Sequence, residues 1–172
     1  MDPRVDAPDK VLDRQFAQAE SIYRETLTTR KAMAEVDSVE TQLKKLESKD
    51  ENNAPYLADA IHSALTRLAA IKEGDGKDAE EEKEAKGRHG LAETNAGLAV
   101  ALRMVESGHR DAPAQALVIA DEMGRSARAQ TAAWERFKTV ELSSVNAALT
   151  RANRKPLQIA AIEEQVHYAM TR

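Results

Sequence analysis

A chain of 172 residues with 42% hydrophobic and 31% charged residues is long enough for one packed domain, and its net charge of −4 carries no basic footprint for nucleic acid. No apolar run approaches the roughly 20 residues that cross a bilayer, and the polar start Met1-Asp-Pro-Arg-Val does not read as a signal peptide. The absence of Cys removes disulfides, thiolate catalysis and Cys-based zinc sites together.

With only 7 Gly, 5 Pro and 3% aromatic residues, the chain favours helix over strand. Its abundant Ala, Leu, Glu, Lys, Arg and Gln lose little rotamer freedom in a helix. Residues 1–8, with Pro3 and Pro8, read as an extended lead-in, and Asp9 is placed to cap the first helix. Leu12, Phe16, Ala19 and Tyr23, then Val36, Val39, Leu43 and Leu46, step at helical spacing, linked by Ile22, Leu27 and Met33. They predict one helix over 9–48, roughly 60 Å long at 1.5 Å per residue, with Thr28 and Thr29 as its weak point.

Residues 49–55 form a turn, and Pro55 suits the first turn of a second helix over 55–73. Its stripe is Leu57, Ile61, Leu65, Leu68 and Ile71. The charged, Gly-flanked stretch 74–89 reads as a solvated linker, with an acidic docking tract as the lesser reading. Leu91, Asn95, Leu98, Leu102 and Val105 mark a third helix over 90–107. Asn95 sits at a core step, either to fix register through a buried hydrogen bond or at the margin. A fourth helix over 113–152 carries Ala116, Ala120, Met123, Ala127, Thr131, Trp134, Phe137, Leu142, Val145 and Leu149, weakened at Gly124. Pro156 is expected to open a last helix within 153–172, with Ile159, Ile162, Val166 and Met170 on one face.

These elements imply an all-α fold class: an antiparallel up-down-up-down four-helix bundle of two long and two short helices, with the short C-terminal helix packing on the long pair. If the short pair covers only the distal half of the long pair, the other half is left with Phe16, Tyr23, Trp134 and Phe137, within reach of Tyr168. These five residues are the candidate surface, covered either by the C-terminal helix or by a partner.

Motifs for chemistry are weak. Glu164-x-x-His167 and, more loosely, Asp59-x-x-His62 match the carboxylate–histidine step of di-iron bundles, but Glu164 falls off the apolar face of its helix, and His62 falls at the flank of its own with Asp59 outside. His89 and His109 sit in breaks and read as solvated. Arg151, Arg154 and Lys155 lie at a helix C-terminus, where the dipole favours cations. No phosphate loop, catalytic triad or zincin helix is present, so no catalytic residue, metal or cofactor is expected.

Three segments carry a resemblance. Met1-Asp-Pro-Arg-Val with Leu12-x-x-Gln15-Phe16 and Ile22-Tyr23 resembles the junction between a β-sandwich strand and a helical tail in large bacterial proteins with sortilin-like, BNR-repeat β-propellers, often named glycosyl-hydrolase-like. Leu91-Ala-Glu-Thr-Asn95-Ala-Gly97-Leu98, running on through Glu106-Ser-Gly-His-Arg-Asp-Ala-Pro-Ala-Gln115, is similar to their third helix and turn. Trp134 and Leu142-Ser-Ser-Val-Asn146-Ala-Ala-Leu149 look like their last helix. The resemblance spans most of 1–152 and departs in the 74–90 linker and the 156–172 extension. It implies a C-terminal helical appendage of an exported propeller protein, periplasmic or extracellular, whose partner is the parent propeller. The alternatives are a self-associating coiled coil and, more remotely, a metal-binding bundle.

Overall fold

The computed structural model describes residues 9–49, 54–74, 89–107 and 111–159. These form α1 (Asp9–Lys49), α2 (Pro55–Glu73), α3 (Leu91–Glu106), α4 (Ala114–Thr139) and α5 (Glu141–Arg151), packed against one another with no strand among the described residues. The all-α bundle expected from periodicity is therefore the fold.

The course of the helices differs from the expected up-down-up-down order. Along α1 the contacts with α3 come first, with the Gln15 amide donating to the Val105 carbonyl and Thr29 lying 3.4 Å from the Asn95 amide oxygen. Contacts with α2 come second, with Lys72 held by Asp37 at 2.7 Å and Glu40 at 2.8 Å. The two short helices thus stack end to end and run in the same direction, both antiparallel to α1. They do not lie side by side. The fourth helix is parallel to the first: Arg14 pairs with Asp111, Glu25 with Arg128 and Glu35 with Lys138, the numbers rising together on both sides. The bundle has three columns: α1 up, α2 and α3 down, α4 and α5 up.

The physical reason is cover. Gln15, Ile22, Thr29, Val36 and Leu43 recur at steps of seven on α1, and the last four are buried. A seam that long needs a neighbour along its whole length. The 19-residue α2 covers its second half and the 16-residue α3 its first. Two contiguous core clusters result. One holds Val36, Val39, Leu43, Leu57, Ile61, Leu68, Trp134, Phe137, Val145 and Leu149; the other holds Ile22, Leu98, Ala101, Val105, Ala116, Met123 and Ala127.

Thr28 and Thr29 do not weaken α1, which continues through them. Thr26 and Thr29 are buried in the seam, and their hydroxyls donate back to the carbonyls of Ile22 at 2.8 Å and Glu25 at 3.1 Å. That back-bonding satisfies a polar group no water reaches. Asn95 is half-buried beside Thr29.

The fourth predicted helix is broken once, at Val140, where φ is −106° and ψ is −67°. Hydrogen bonds from Val140 N–H to the Arg136 carbonyl and from Ser144 N–H to the Val140 carbonyl carry the column across the break. α5 ends in a Schellman arrangement. Asn153 takes a left-handed φ of 55°, Arg154 N–H reaches the Leu149 carbonyl and Asn153 N–H reaches the Thr150 carbonyl. The chain there reverses and runs back without helix over 154–159. Pro156 therefore does not open a helix. Leu157 and Ile159 pack on the first core cluster, and the rest of the predicted C-terminal helix, with Tyr168, lies outside the described residues.

Between α2 and α3 the backbones of Gly74 and His89 form an isolated antiparallel bridge, so the chain leaves after 74 and returns at 89 to one point. Gly74 has φ 91°, which an L side chain resists. A Cβ on Gly90 would lie 2.3 Å from the Lys72 carbonyl oxygen and 2.5 Å from Gly74 N, both backbone atoms. Gly90→Ala is therefore expected to cost about 1–3 kcal/mol, read as a lower urea midpoint at unchanged slope. Gly97→Ala, whose Cβ meets only the flexible Met123 side chain, should cost less. Equal costs would show that the close approach at Gly90 is not what holds the junction.

Candidate interaction surface

The five residues of the candidate surface are not one surface. Trp134 and Phe137 are 1% and 2% exposed and stack in the core, with ring centroids 5.4 Å apart at 18°. Their place follows from α4's own spacing, which puts them toward Val36 and α2 where the second half of α1 passes. Phe16 and Tyr23, at 71% and 40% exposure, lie on the outer flank of α1's first half. Each stands one residue past the seam positions Gln15 and Ile22, and the 100° turn per residue swings it out of the interior. Tyr168 lies outside the described residues.

Beside the buried rings lies a polar cluster the sequence reading missed. The Trp134 indole N–H donates to Glu35 Oε2 at 2.7 Å, and Lys138 sits 3.5 Å from the same oxygen and 2.6 Å from Glu135. The Lys138 ammonium is also 5.6 Å from the Trp134 ring centroid, close enough for a cation–π attraction. Burial pulls Lys138 down, but Glu135 and Glu35 outweigh it and hold its pKa above the usual lysine value. Nothing in the apolar spacing marks Glu35 as an inward carboxylate.

Other ionisable groups are paired as well. The ammonium groups of Lys44 and Lys72 hold Glu40 below its ordinary carboxylate value, and Asp37 with Glu40 raises Lys72. Arg151, in the last turn of α5, places its guanidinium 4.7 Å from the Tyr56 ring centroid. Asp59 and His62 are exposed. His109, Glu164 and His167 lie outside the described residues. Among the described residues no group of three His, Asp or Glu side chains converges as a metal site.

His89 is not freely solvated, contrary to the sequence reading. Its Nδ1 lies 3.0 Å from Glu93 and its Nε2 3.5 Å from Glu122, an arrangement that suits the imidazolium. Its backbone carbonyl accepts from buried Gln130 at 3.1 Å and from Thr94 at 3.3 Å. The hydrogen bond with Glu93, assisted by Glu122, raises the His89 pKa above its ordinary 6.5 against the cost of burial.

Two grooves mark the surface. One of about 160 Å³ lies between α2 and the α4–α5 column, where Arg67 contacts Glu141 at 3.2 Å and the second Glu141 oxygen is buried without a hydrogen-bond partner. The other, of about 390 Å³ with mainly apolar walls, lies between the parallel helices α1 and α4. No protein family, no curated protein and no solved structure matches the chain.

Two substitutions test these pairings. Glu35→Ala leaves the Trp134 N–H without an acceptor in the core and should destabilise the fold by about 1–3 kcal/mol, with Glu35→Gln recovering part of that in urea titration. Because the folded His89 pKa is raised, its contribution is fully present below the unfolded value of 6.5 and is lost as pH rises through the folded value. His89→Gln should thus be less stable than the native chain at pH 6, by under about 1 kcal/mol, and the gap should close as pH rises through the raised value. A gap that widens with pH would contradict the assignment.

Proposed function

We propose that this chain is a non-catalytic spacer and docking domain, a rigid helical rod that sets two attachments apart. The observation that carries the reading is the seam of the 41-residue α1, buried at Ile22, Thr29, Val36 and Leu43 and backed by two core clusters, one along each half. A rod of roughly 60 Å built on one uninterrupted helix resists bending better than jointed short bundles. The resemblance carried by the segments at 1–23, 91–115 and 134–149 supports an appendage of a larger exported β-propeller protein, in the periplasm or outside the cell, with that propeller as partner. Phe16 and Tyr23, spaced seven apart on one flank, are the docking contacts on this reading.

The native chain has no Cys, so spin labels can be placed uniquely. Labels at the exposed positions Lys10 and Glu47 should give one narrow distance distribution centred near 55 Å, from 1.5 Å rise per residue. A broad distribution, or one centred below about 40 Å, would sink the rod. A second reading, self-association through the exposed Phe16 flank, requires a dimer by light scattering that Phe16→Ser converts to monomer.

A further inference from the structure

The hollow of about 160 Å³ between α2 and the α4–α5 column gathers charges of both signs beside apolar walls. Arg67 reaches it from α2, Arg136 from the last turn of α4 and Glu141 from the first turn of α5. Arg136 and Glu141 thus stand on the two sides of the break at Val140. Ile71 and Phe137, 6% and 2% exposed, line it from the core.

The Glu141 carboxylate is only half satisfied. Its Oε1 faces Arg67 Nε at 3.2 Å, while its Oε2 is buried and has no hydrogen-bond partner among the described residues. The positive end of α5 favours a carboxylate in the first turn, but it gives Oε2 no donor. A buried charged oxygen without a donor is costly, and an arriving N–H group removes that cost.

The cations have donors to spare. Arg67 meets Glu141 through Nε, which leaves its terminal nitrogens, and exposed Arg136 makes no ion pair among the described residues. A guanidinium presents its N–H groups as a fork that fits a carboxylate. The remaining polar wall residue, Gln130, turns its Nε2 to the His89 carbonyl.

These demands select a class of ligand. A simple anion meets two guanidiniums, but Glu141 repels it and Oε2 stays unpaired. A simple cation pairs with Oε2 and is repelled by both arginines. A molecule with an ammonium and a carboxylate on one carbon satisfies all three side chains. Size agrees, because sites for drug-sized ligands enclose roughly 300–1,000 Å³ and this hollow is about 160 Å³.

We propose that the hollow between α2 and the α4–α5 column binds a small α-amino acid. The ammonium donates to Glu141 Oε2, the carboxylate accepts from Arg136 and the terminal nitrogens of Arg67, and the side chain rests against Ile71 and Phe137. The site uses neither Phe16, Tyr23 nor the length of the rod, so it is independent of the spacer and docking role.

The test titrates the full isotope-labelled chain with L-alanine and, separately, with acetate, methylammonium and inorganic phosphate at matched ionic strength. It follows the nuclear magnetic resonance signals of the Arg67 and Arg136 Nε–H groups and the Glu141 backbone N–H. L-Alanine should shift all three and saturate. Acetate and methylammonium, each carrying half of the zwitterion, should bind at least about tenfold more weakly, the effect of losing one charge-assisted hydrogen bond. Glu141→Gln and Arg136→Gln should each weaken L-alanine binding by about tenfold or more, with far-ultraviolet circular dichroism reporting an intact bundle. Arg136 is exposed, so its variant keeps the test open if Glu141→Gln fails to fold. The absence of saturable shifts with L-alanine overturns the proposal. Acetate or phosphate binding as tightly as L-alanine would mark an anion site only and overturns it too. Affinity unchanged in both variants places the ligand elsewhere, and the assignment falls.

Discussion

Everything in this fold answers to the seven-residue seam of α1. Ile22, Thr29, Val36 and Leu43 present a stripe to be removed from water over the length of a 41-residue helix, and each exposed Å² of apolar surface costs about 25 cal/mol. The α4–α5 column covers one side. The remaining side needs a second column of similar length, and the chain supplies it in two pieces. With one descending column between two ascending ones, α1 and α4 must be parallel. That parallel pair is what leaves the groove between α1 and α4.

A column made of two helices has a seam of its own, where the last carbonyls of α2 and the first N–H groups of α3 lack helical partners. The chain closes it with backbone and polar side chains. Gly74 N–H returns to the Ala70 carbonyl, Thr94 N–H reaches the Gly90 carbonyl, and Gly90 permits the two backbones to touch. Gln130 crosses from α4 to hold the His89 carbonyl. Buried polar groups cost free energy unless bonded, so Gln130 and Thr94 each have one geometry here, and the end-to-end stacking inherits that specificity.

Much of this was legible in the sequence. Helix existence followed from apolar spacing: the seam of α2 from Leu and Ile, and that of the fourth helix from Ala and Met, then Trp and Phe, then Leu and Val, at 3.6-residue steps. Direction was not legible, because a periodic stripe is the same read up or down, and the charged stretch 74–89 concealed that α2 and α3 share one line. Phe16 and Tyr23 read as part of the apolar stripe because they step with Leu12 and Ala19 at three and four residues. Phase decides instead: Leu43, Val36 and Ile22 at steps of seven point to Gln15 and Thr29, and the Gln15 amide bonding to the Val105 carbonyl and the Thr29 hydroxyl bonding to its own helix make those positions tolerable inside. The reversal after α5 depends on Asn153 accepting a left-handed φ, a property the sequence permits without demanding.

The charged shell bears on what the rod presents to others. Arg14–Asp111 and Arg24–Glu20 join largely exposed side chains, and such pairs contribute at most about 1 kcal/mol each. Their effect is to keep the flanks hydrated. Against that background an exposed Phe16, with Tyr23 two turns along the same flank, is the larger perturbation, since a ring in water forgoes most of its burial energy. A lone exposed apolar residue is ordinary on any protein. Two aromatic rings seven residues apart, each one step outside an otherwise strict seam, share one flank of a helix that cannot rotate to hide them, because rotation would expose Ile22 and Thr29 instead. Their exposure is fixed by the same seam that builds the rod, and it persists for as long as the rod stays folded.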